Sequence, residues 1–393
     1  MSTLKVDGIR HSSATSDAIT TAADGTCTAR ITSMNGGSTL SHRNVLINGA
    51  MIISQRGSSF SHVGSSNTNV VTMDRWKIRR SGGLEFDTTI TQSTDTPDGF
   101  INSLKITPDA VETPTGTQNG LIEQQIEGQS LQHFAYGTSS AKSVTVSFYA
   151  KSGSQNNGHN YTLQLRKYDS SNNTRIVTKA FTVTSSWQRF TMTFAGDTSN
   201  DIKNSNDYQG FEFIFQLATG PDDLVAEQPT WTSTFDNWRG VTGNSNFMDN
   251  TNNEFYVTGC QLEVGDTATT FEHLTHGDEL IRCQRYYQEI VNGDTQTVGT
   301  GFMFSATEID VAIQFKTTMR TAPSIVQSTG GNYFTVFGGG DSNAYVDGNW
   351  STYGATTSGT LIYATADTSV TAGKGKYIRT SNASAKIAFD AEM

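Results

Sequence analysis

The chain has 393 residues, with 27 Lys and Arg against 37 Asp and Glu, for a formal net charge of −10. Charged residues make up 16%, and the chain holds 21 Phe and 13 Tyr but only 6 Pro. That composition excludes a disordered chain, which is poor in aromatics and rich in charge and proline, and the net charge argues against a polyanion partner, whose phosphates need clustered Lys and Arg. In place of charge stand Ser, Thr, Asn and 37 Gly, so folding rests on uncharged polar surface and β-forming residues.

Residues 1–45 carry few large apolar side chains and several turn clusters, such as Asp24-Gly25 and Asn35-Gly36-Gly37. Two short alternating stretches occur, Leu4 to Ile9 and Thr26 to Ile31. Such a segment cannot bury a core by itself, so it is either a flexible leader or, the reading favoured here, an extended attachment arm that orders by packing against other subunits. Its opening residues lack the apolar segment of a signal peptide, and no apolar run in the chain approaches the ~18 residues of a membrane span.

Residues 46–275 show period-2 patterning. Val144, Val146, Phe148 and Ala150 alternate with polar residues; so do Tyr161, Leu163 and Leu165, then Phe190, Met192 and Phe194. Phe211, Phe213, Phe215 and Leu217 follow, and Tyr256, Cys260, Leu262 and Val264 close the series. Strands buried on one face and joined by polar turns predict two antiparallel sheets packed together. Trp76 and Trp187 fall in or beside strand patterns and are expected in the core, and Asp74 and Arg75 are expected to form a structural pair or turn. From His276 to Tyr287, Leu280, Cys283 and Tyr287 recur at helical spacing, a short helix expected to join two domains. Residues 276–393 return to strand patterning, with Val311, Ile313 and Phe315, then Phe334 with Val336, and Ile387 with Phe389. Gly338 to Gly340 reads as a turn, and Ala385 to Met393 as a final strand.

Gly259-Cys260-Gln261-Leu262-Glu263-Val264-Gly265-Asp266-Thr267-Ala268-Thr269-Thr270-Phe271-Glu272-His273, continuing through Glu279-Leu280-Ile281-Arg282-Cys283-Gln284-Arg285-Tyr286-Tyr287, resembles a stretch of the fibre and other virion-surface proteins of tailed bacteriophages. Asn44 to Gly57 with Asp74-Arg75-Trp76, Ser147 to Gly153, Ser186 to Phe190 and the closing Ala388 to Met393 are similar in order and spacing. The resemblance implies a carbohydrate-binding-module-like jelly roll followed by a C-terminal tip. The fold expected is all-β: an arm at 1–45, a jelly-roll sandwich at 46–275 and a β-rich tip at 276–393. It implies a homotrimeric, non-enzymatic virion protein, made in the host cytoplasm, docked to other virion proteins through residues 1–45 and attached to a host-surface glycan. A tail fibre is the first reading and a capsid-decorating head fibre the alternative. A polysaccharide depolymerase is more remote: Asp222, Asp223, Asp236 and Asp341 lie in loops, but nothing in the sequence pairs two of them across a scissile bond.

A glycan site needs an exposed aromatic plate beside hydrogen-bonding side chains. Tyr345, Asp347, Asn349, Trp350 and Tyr353 form one candidate group, and Trp231, Trp238 and Arg239 another. The competing reading is that these rings pin long loops to the sheets. No cofactor, nucleic acid or membrane insertion is expected. His273 and His276 near Glu272, Asp278 and Glu279 read as a solvated turn rather than a metal site. Cys27, Cys260 and Cys283 are odd in number and far apart, and are expected as inert thiols.

Overall fold

The computed structural model describes residues 42–62, 69–207, 210–233, 238–338, 340 and 342–393, and within the leading segment residues 7–10, 12, 19–21, 23 and 27–29. There, β1 (Gly8–Ile9), β2 (Ile19–Thr21) and β3 (Cys27–Ala29) pair as a small antiparallel sheet. The rest of the expected arm up to residue 41 lies outside the described residues.

The sandwich begins with β4 (Ser59–His62), β5 (Asn69–Val71), β6 (Lys77–Ser81), β7 (Thr88–Ser93), β8 (Ser103–Pro108) and β9 (Asn119–Ile126). It continues with β10 (Val144–Ser152), β11 (Asn160–Tyr168), β12 (Thr174–Thr182), β13 (Gln188–Phe194) and β14 (Phe211–Thr219). The two-residue strands β15 (Leu224–Val225) and β16 (Gly240–Val241) pair in parallel, and β17 (Phe255–Val264) is the last sandwich strand. One antiparallel sheet has the order β13-β10-β17-β8-β7-β4 and the other β12-β11-β14-β9-β6-β5. These orders interleave early and late strands in both sheets, which is the jelly-roll arrangement.

The alternation read from the sequence is what fills the space between the sheets. Phe148 from one sheet meets Phe215 from the other with ring centroids 4.9 Å apart, and Phe181 lies 5.1 Å from Phe148. Trp76 is fully buried and donates its indole N–H to the Asn48 carbonyl at 3.0 Å. Gly49 is required where it stands, because an added Cβ would overlap the Cys260 carbonyl. Cys260 and Cys283 are buried free thiols, held well above the ordinary thiol pKa by burial.

The chain enters and leaves this body at one place. The Val45 N–H donates to the Leu262 carbonyl at 3.1 Å, and the Asn44 amide donates to the Cys260 carbonyl at 3.0 Å. The Asn44 N–H donates to Glu272 Oε2 at 2.8 Å, and Arg43 reaches Thr269 Oγ1 at 2.6 Å. Residues 43–45, assigned to the arm on sequence, are thus held by the sandwich.

The expected helix is present as α1 (His276–Gln284), shorter than the predicted span. Thr275 caps it by accepting from the Asp278 N–H at 3.2 Å. Tyr287, counted on its apolar face, instead opens β18 (Tyr287–Asn292). The tip then contains β19 (Thr297–Met303), β20 (Glu308–Gln314), β21 (Ser324–Gln327), β22 (Phe334–Phe337) and β23 (Ala344–Val346). Its remaining strands are β24 (Ser351–Tyr353), β25 (Gly359–Thr365), β26 (Gly375–Thr380) and β27 (Lys386–Asp390). The sheet β18-β27-β21 packs on the sheet β23-β22-β26-β19-β20-β25-β24 around a second core that includes Val311, Phe334, Ile362, Ile378 and Phe389.

Asp74 and Arg75 form the expected turn, closed by the Trp76 N–H on the Met73 carbonyl at 2.8 Å, and do not pair with each other. Both belong to a charged junction between sandwich and tip. Arg56 bonds Asp74 at 3.0 Å and Asp390 at 3.1 Å, and its guanidinium lies 3.8 Å from the Tyr287 ring centroid. Arg75, whose side chain is 2% exposed, pairs with Glu392, donates to the Gln125 carbonyl and sits 3.5 Å from the Tyr286 ring centroid. Arg285 makes two 2.7 Å bonds to the Glu127 carboxylate, which also accepts from the Tyr286 hydroxyl at 2.5 Å. Cations that cross between the bodies and meet buried carboxylates fix orientation strongly, since losing one partner strands the other.

Candidate functional site

In the tip, β23 leads through a tight turn into β24. Gly348 at φ 98° and Asn349 at φ 57° make that turn in the left-handed region. Asp347 Oδ1 accepts from the Asn332 N–H at 2.7 Å, and Asp367 Oδ1 accepts from the Tyr345 N–H at 2.7 Å. Tyr345, Asp347, Gly348, Asn349, Thr365, Ala366 and Asp367 line a recess of about 310 Å³. Three residues of the sequence-predicted group therefore converge, and Asp367 joins them from a strand end distant in sequence. Tyr353 is 74% exposed on the outer edge strand.

Trp350 does not belong to that surface. It is 2% exposed, packs edge-on against Phe334 with centroids 5.5 Å apart, and exchanges two hydrogen bonds with Gln327 at 2.7 and 2.9 Å. The expectation of an exposed plate is corrected: the turn ends at Asn349, and Trp350 is where the chain re-enters the sheet with its ring in the core.

The second predicted group is split. The Trp231 indole donates to the Ala195 carbonyl at 3.0 Å, and its ring packs against Tyr136 and Phe211 with centroids 5.7 and 5.8 Å away. It pins its loop to the core edge, so its role as an open plate is also corrected. Trp238 lies over the outer face of the β12-β11-β14-β9-β6-β5 sheet, within cation–π range of Arg79 at 5.0 Å and Arg166 at 5.3 Å. Those guanidiniums pair with buried Glu123 at 2.7 Å and Glu212 at 2.8 Å. The half-buried indole covers this ionic lattice, and protein cations already occupy its π-surface. Arg239 pairs with Asp223, which also accepts from Asn119 at 2.6 Å. Burial pushes the Asp223 carboxyl above its ordinary pKa despite both partners. Asp236 and Asp341 lie outside the described residues.

Trp187, expected in the core, is on the surface, where its indole donates to Asp95 Oδ1 at 3.0 Å beside Tyr256. His273 packs between Phe100 and Phe271 with centroids 5.1 and 4.9 Å away. Among the described residues no group of three or more His, Cys, Asp and Glu side chains converges as a metal centre.

Sequence reasoning missed the outward face of the tip's larger sheet. Ile309, Val311, Ile362, Ile378, Phe334 and Val336 point into the core, so the alternate residues Asp310, Tyr363, Tyr377 and Phe337 point out. Phe337 and Tyr377 are register partners and stack at 5.0 Å with an interplanar angle of 12°. Phe302 and Tyr377 are 46% and 44% exposed. Phe302 pairs in register with Asp310, and Asp310 with Tyr363. Tyr345 and Tyr353 stand on the two edge strands of the same sheet.

No family model matches the chain, and no curated protein matches it. Among solved structures it is similar to the enzymatically active domain of tailspike protein 4 of bacteriophage CBA120, at 8% identity and a TM-score of 0.29, over 57% of this chain and 22% of the tailspike chain. It is also similar to a family 11 carbohydrate-binding module of a Clostridium thermocellum cellulase, at 13% identity and a TM-score of 0.27, over 52% of this chain and 98% of the module. A family 22 xylan-binding module from Paenibacillus barcinonensis matches at 10% identity and a TM-score of 0.26, over 53% of this chain and 94% of the module. The matched part spans 22% of the length of the tailspike chain. At these scores neither ligand nor activity passes to this chain.

Proposed function

We propose that the chain is a non-enzymatic fibre subunit of a tailed-bacteriophage particle, which attaches the particle to a host-surface glycan through its C-terminal tip. One observation carries the reading: the outward face of the tip's larger sheet holds aromatic rings open to solvent, with Phe302 and Tyr377 nearly half exposed. Monomeric proteins rarely leave such rings clustered on one face without a partner, and aromatic faces stack on the apolar faces of sugar rings. The buried junction of Arg56, Arg75 and Glu392 supports it, because a tip held to the sandwich by these pairs presents that face in a fixed direction. The same reading places the protein as a homotrimer docked through residues 1–45, so that three weak contacts combine in one fibre.

The test is binding of fluorescently labelled full-length chain to cells of the host and to their extracted surface polysaccharide. Saturable binding to cells, competed by the polysaccharide without release of reducing ends, is the expected result. Release of reducing ends would point to a depolymerase. A particle reconstruction separates the two fibre locations: copies grouped around the tail make it a tail fibre, and copies following capsid symmetry make it a head decoration.

A further inference from the structure

We infer that the outward face formed by β22, β26, β19, β20 and β25 is a binding platform for an uncharged oligosaccharide, with Asp310 as its hydrogen-bond anchor. The inference rests on the glycan-attachment reading and deepens it by naming the subsite and the ligand class.

Asp310 is the residue that makes this face more than an apolar patch. It is 8% exposed, and its Oδ1 has no hydrogen-bond partner among the described residues. Its register neighbours are aromatic on both sides, Phe302 on β19 and Tyr363 on β25. Burial pushes its carboxyl above the ordinary pKa, and no cation among the described residues pairs with it to offset the effect. A buried acceptor without a partner is a cost to the folded chain, and it is relieved by a ligand that brings a donor. Sugar hydroxyls supply donors, and the flanking rings supply surfaces for the apolar faces of the same sugar.

The relief of the face fits a chain of sugar rings better than a flat protein surface. Gly375 is the partner of Phe302 on its other side, and a Cβ added there would meet nothing within 4 Å. This leaves one flank of the Phe302 ring open. A recess of about 320 Å³ begins there, lined by Thr300, Gly301, Phe337, Gly338, Gly375, Lys376 and Tyr377, within the ~300–1,000 Å³ of small-ligand sites. Thr300 and Ala312 form a low floor between Tyr377 and Leu361, which lie on strands three spacings of ~4.8 Å apart. Tyr353, opposite Leu361, continues that wall to the sheet edge. The anchor is an anion on a chain of net charge −10, so an uncharged glycan is favoured over an acidic one.

The experiment is isothermal titration of the full-length chain with cellohexaose, xylohexaose, maltohexaose and dextran fragments, and with polygalacturonate and heparin hexamers as acidic counterparts. At least one uncharged member is expected to bind. Asp310→Ala and Phe302→Ala should each weaken that binding about tenfold or more, while Ile101→Ser, on the sandwich surface, leaves it unchanged. Asp310→Ala should melt at or above the wild-type temperature, which separates loss of a ligand anchor from loss of fold. If an uncharged glycan binds and neither tip variant weakens it, the platform is overturned while attachment elsewhere on the chain stands. Preference for the acidic hexamers, or no binding to any uncharged member, overturns it as well. So does a fall in oligomer mass for Phe302→Ala by light scattering without any glycan binding, which would assign the face to contact between copies.

Discussion

The junction between the two bodies gives the sharpest quantitative test. Three carboxylates, Asp74, Asp390 and Glu392, surround two arginines, Arg56 and Arg75. Arg75→Met removes one cation and leaves Glu392, among the described residues, only Arg56, 3.7 Å away and already shared with Asp74 and Asp390. Removing one partner of a buried pair costs about 3–5 kcal/mol, and both side chains here are 6% exposed or less. Glu392→Gln is milder, because two carboxylates then face two arginines and the amide oxygen still accepts. Its cost is about 1–3 kcal/mol. For units of this size roughly 2–4 °C is lost per kcal/mol, so Arg75→Met should lower the transition by roughly 10 °C. Differential scanning calorimetry of the full chain is the assay, and Arg75→Met should also split one transition into separate melting of sandwich and tip. Equal shifts for the two variants, or an unshifted Arg75→Met, would refute the charge count.

Three further outcomes follow from the same kind of reasoning. The Lys167 ammonium is fully buried and bonds Asp197 at 3.0 Å and the carbonyls of Asn200 and Asp201 at 2.8 and 2.6 Å; Lys167→Met should therefore cost about 3 kcal/mol in urea unfolding, whereas chelators should leave this loop cluster unaffected. Burial raises the carboxyls of Asp74, Glu123 and Glu279, so the native state binds these protons more tightly and gains stability as pH falls toward their raised values. Burial also works to raise Glu127 and Asp197, but hydrogen bonds from Arg285 and Tyr286 to the first, and from the Ser199 N–H and Lys167 to the second, leave both below their ordinary range, so their contribution is lost as pH falls through those depressed values. Melting temperature against pH should thus peak on the mildly acid side of neutral, and a monotonic rise to pH 9 would contradict it. Trp350→Ala should destabilise the tip by about 3–5 kcal/mol in thermal unfolding while leaving glycan affinity per folded molecule unchanged, the reverse of the pattern expected for a binding plate.

The sandwich was legible because its information is local. In β14, Phe211, Phe213, Phe215 and Leu217 face the core while Glu212 and Gln216 face away, and period-2 alternation states this directly. The tip face was not legible, because its aromatics and Asp310 come from five strands whose neighbours in space are not all neighbours in sequence. In Gly375–Thr380, Tyr377 sits out of phase with Ile378, which marks it as outward, but only the order β22-β26-β19-β20-β25 brings it near Phe337 and Phe302. Trp350 misled for a local reason. Asp347-Gly348-Asn349 is a turn, as its composition predicts, yet the large residue after a turn is as often the first to re-enter the core as the last to leave it. Trp231 and Trp238 are seven positions apart in sequence, but strand pairing of Thr232 with Ile176 carries one to the core edge and leaves the other over the outer sheet face.

The fastening at Arg43–Val45 has a mechanical consequence. Because the segment entering the sandwich is bonded to the segment leaving it, tension between the leading segment and the tip passes across hydrogen bonds near Asn44, Leu262 and Glu272. The two six-stranded sheets lie off that load path, like a bead hung beside a string rather than threaded on it. A pull at the tip therefore loads this short clasp together with the junction pairs Arg56–Asp390, Arg75–Glu392 and Arg285–Glu127. The intervening length of chain stays folded in reserve, able to extend and absorb work only once the clasp has opened.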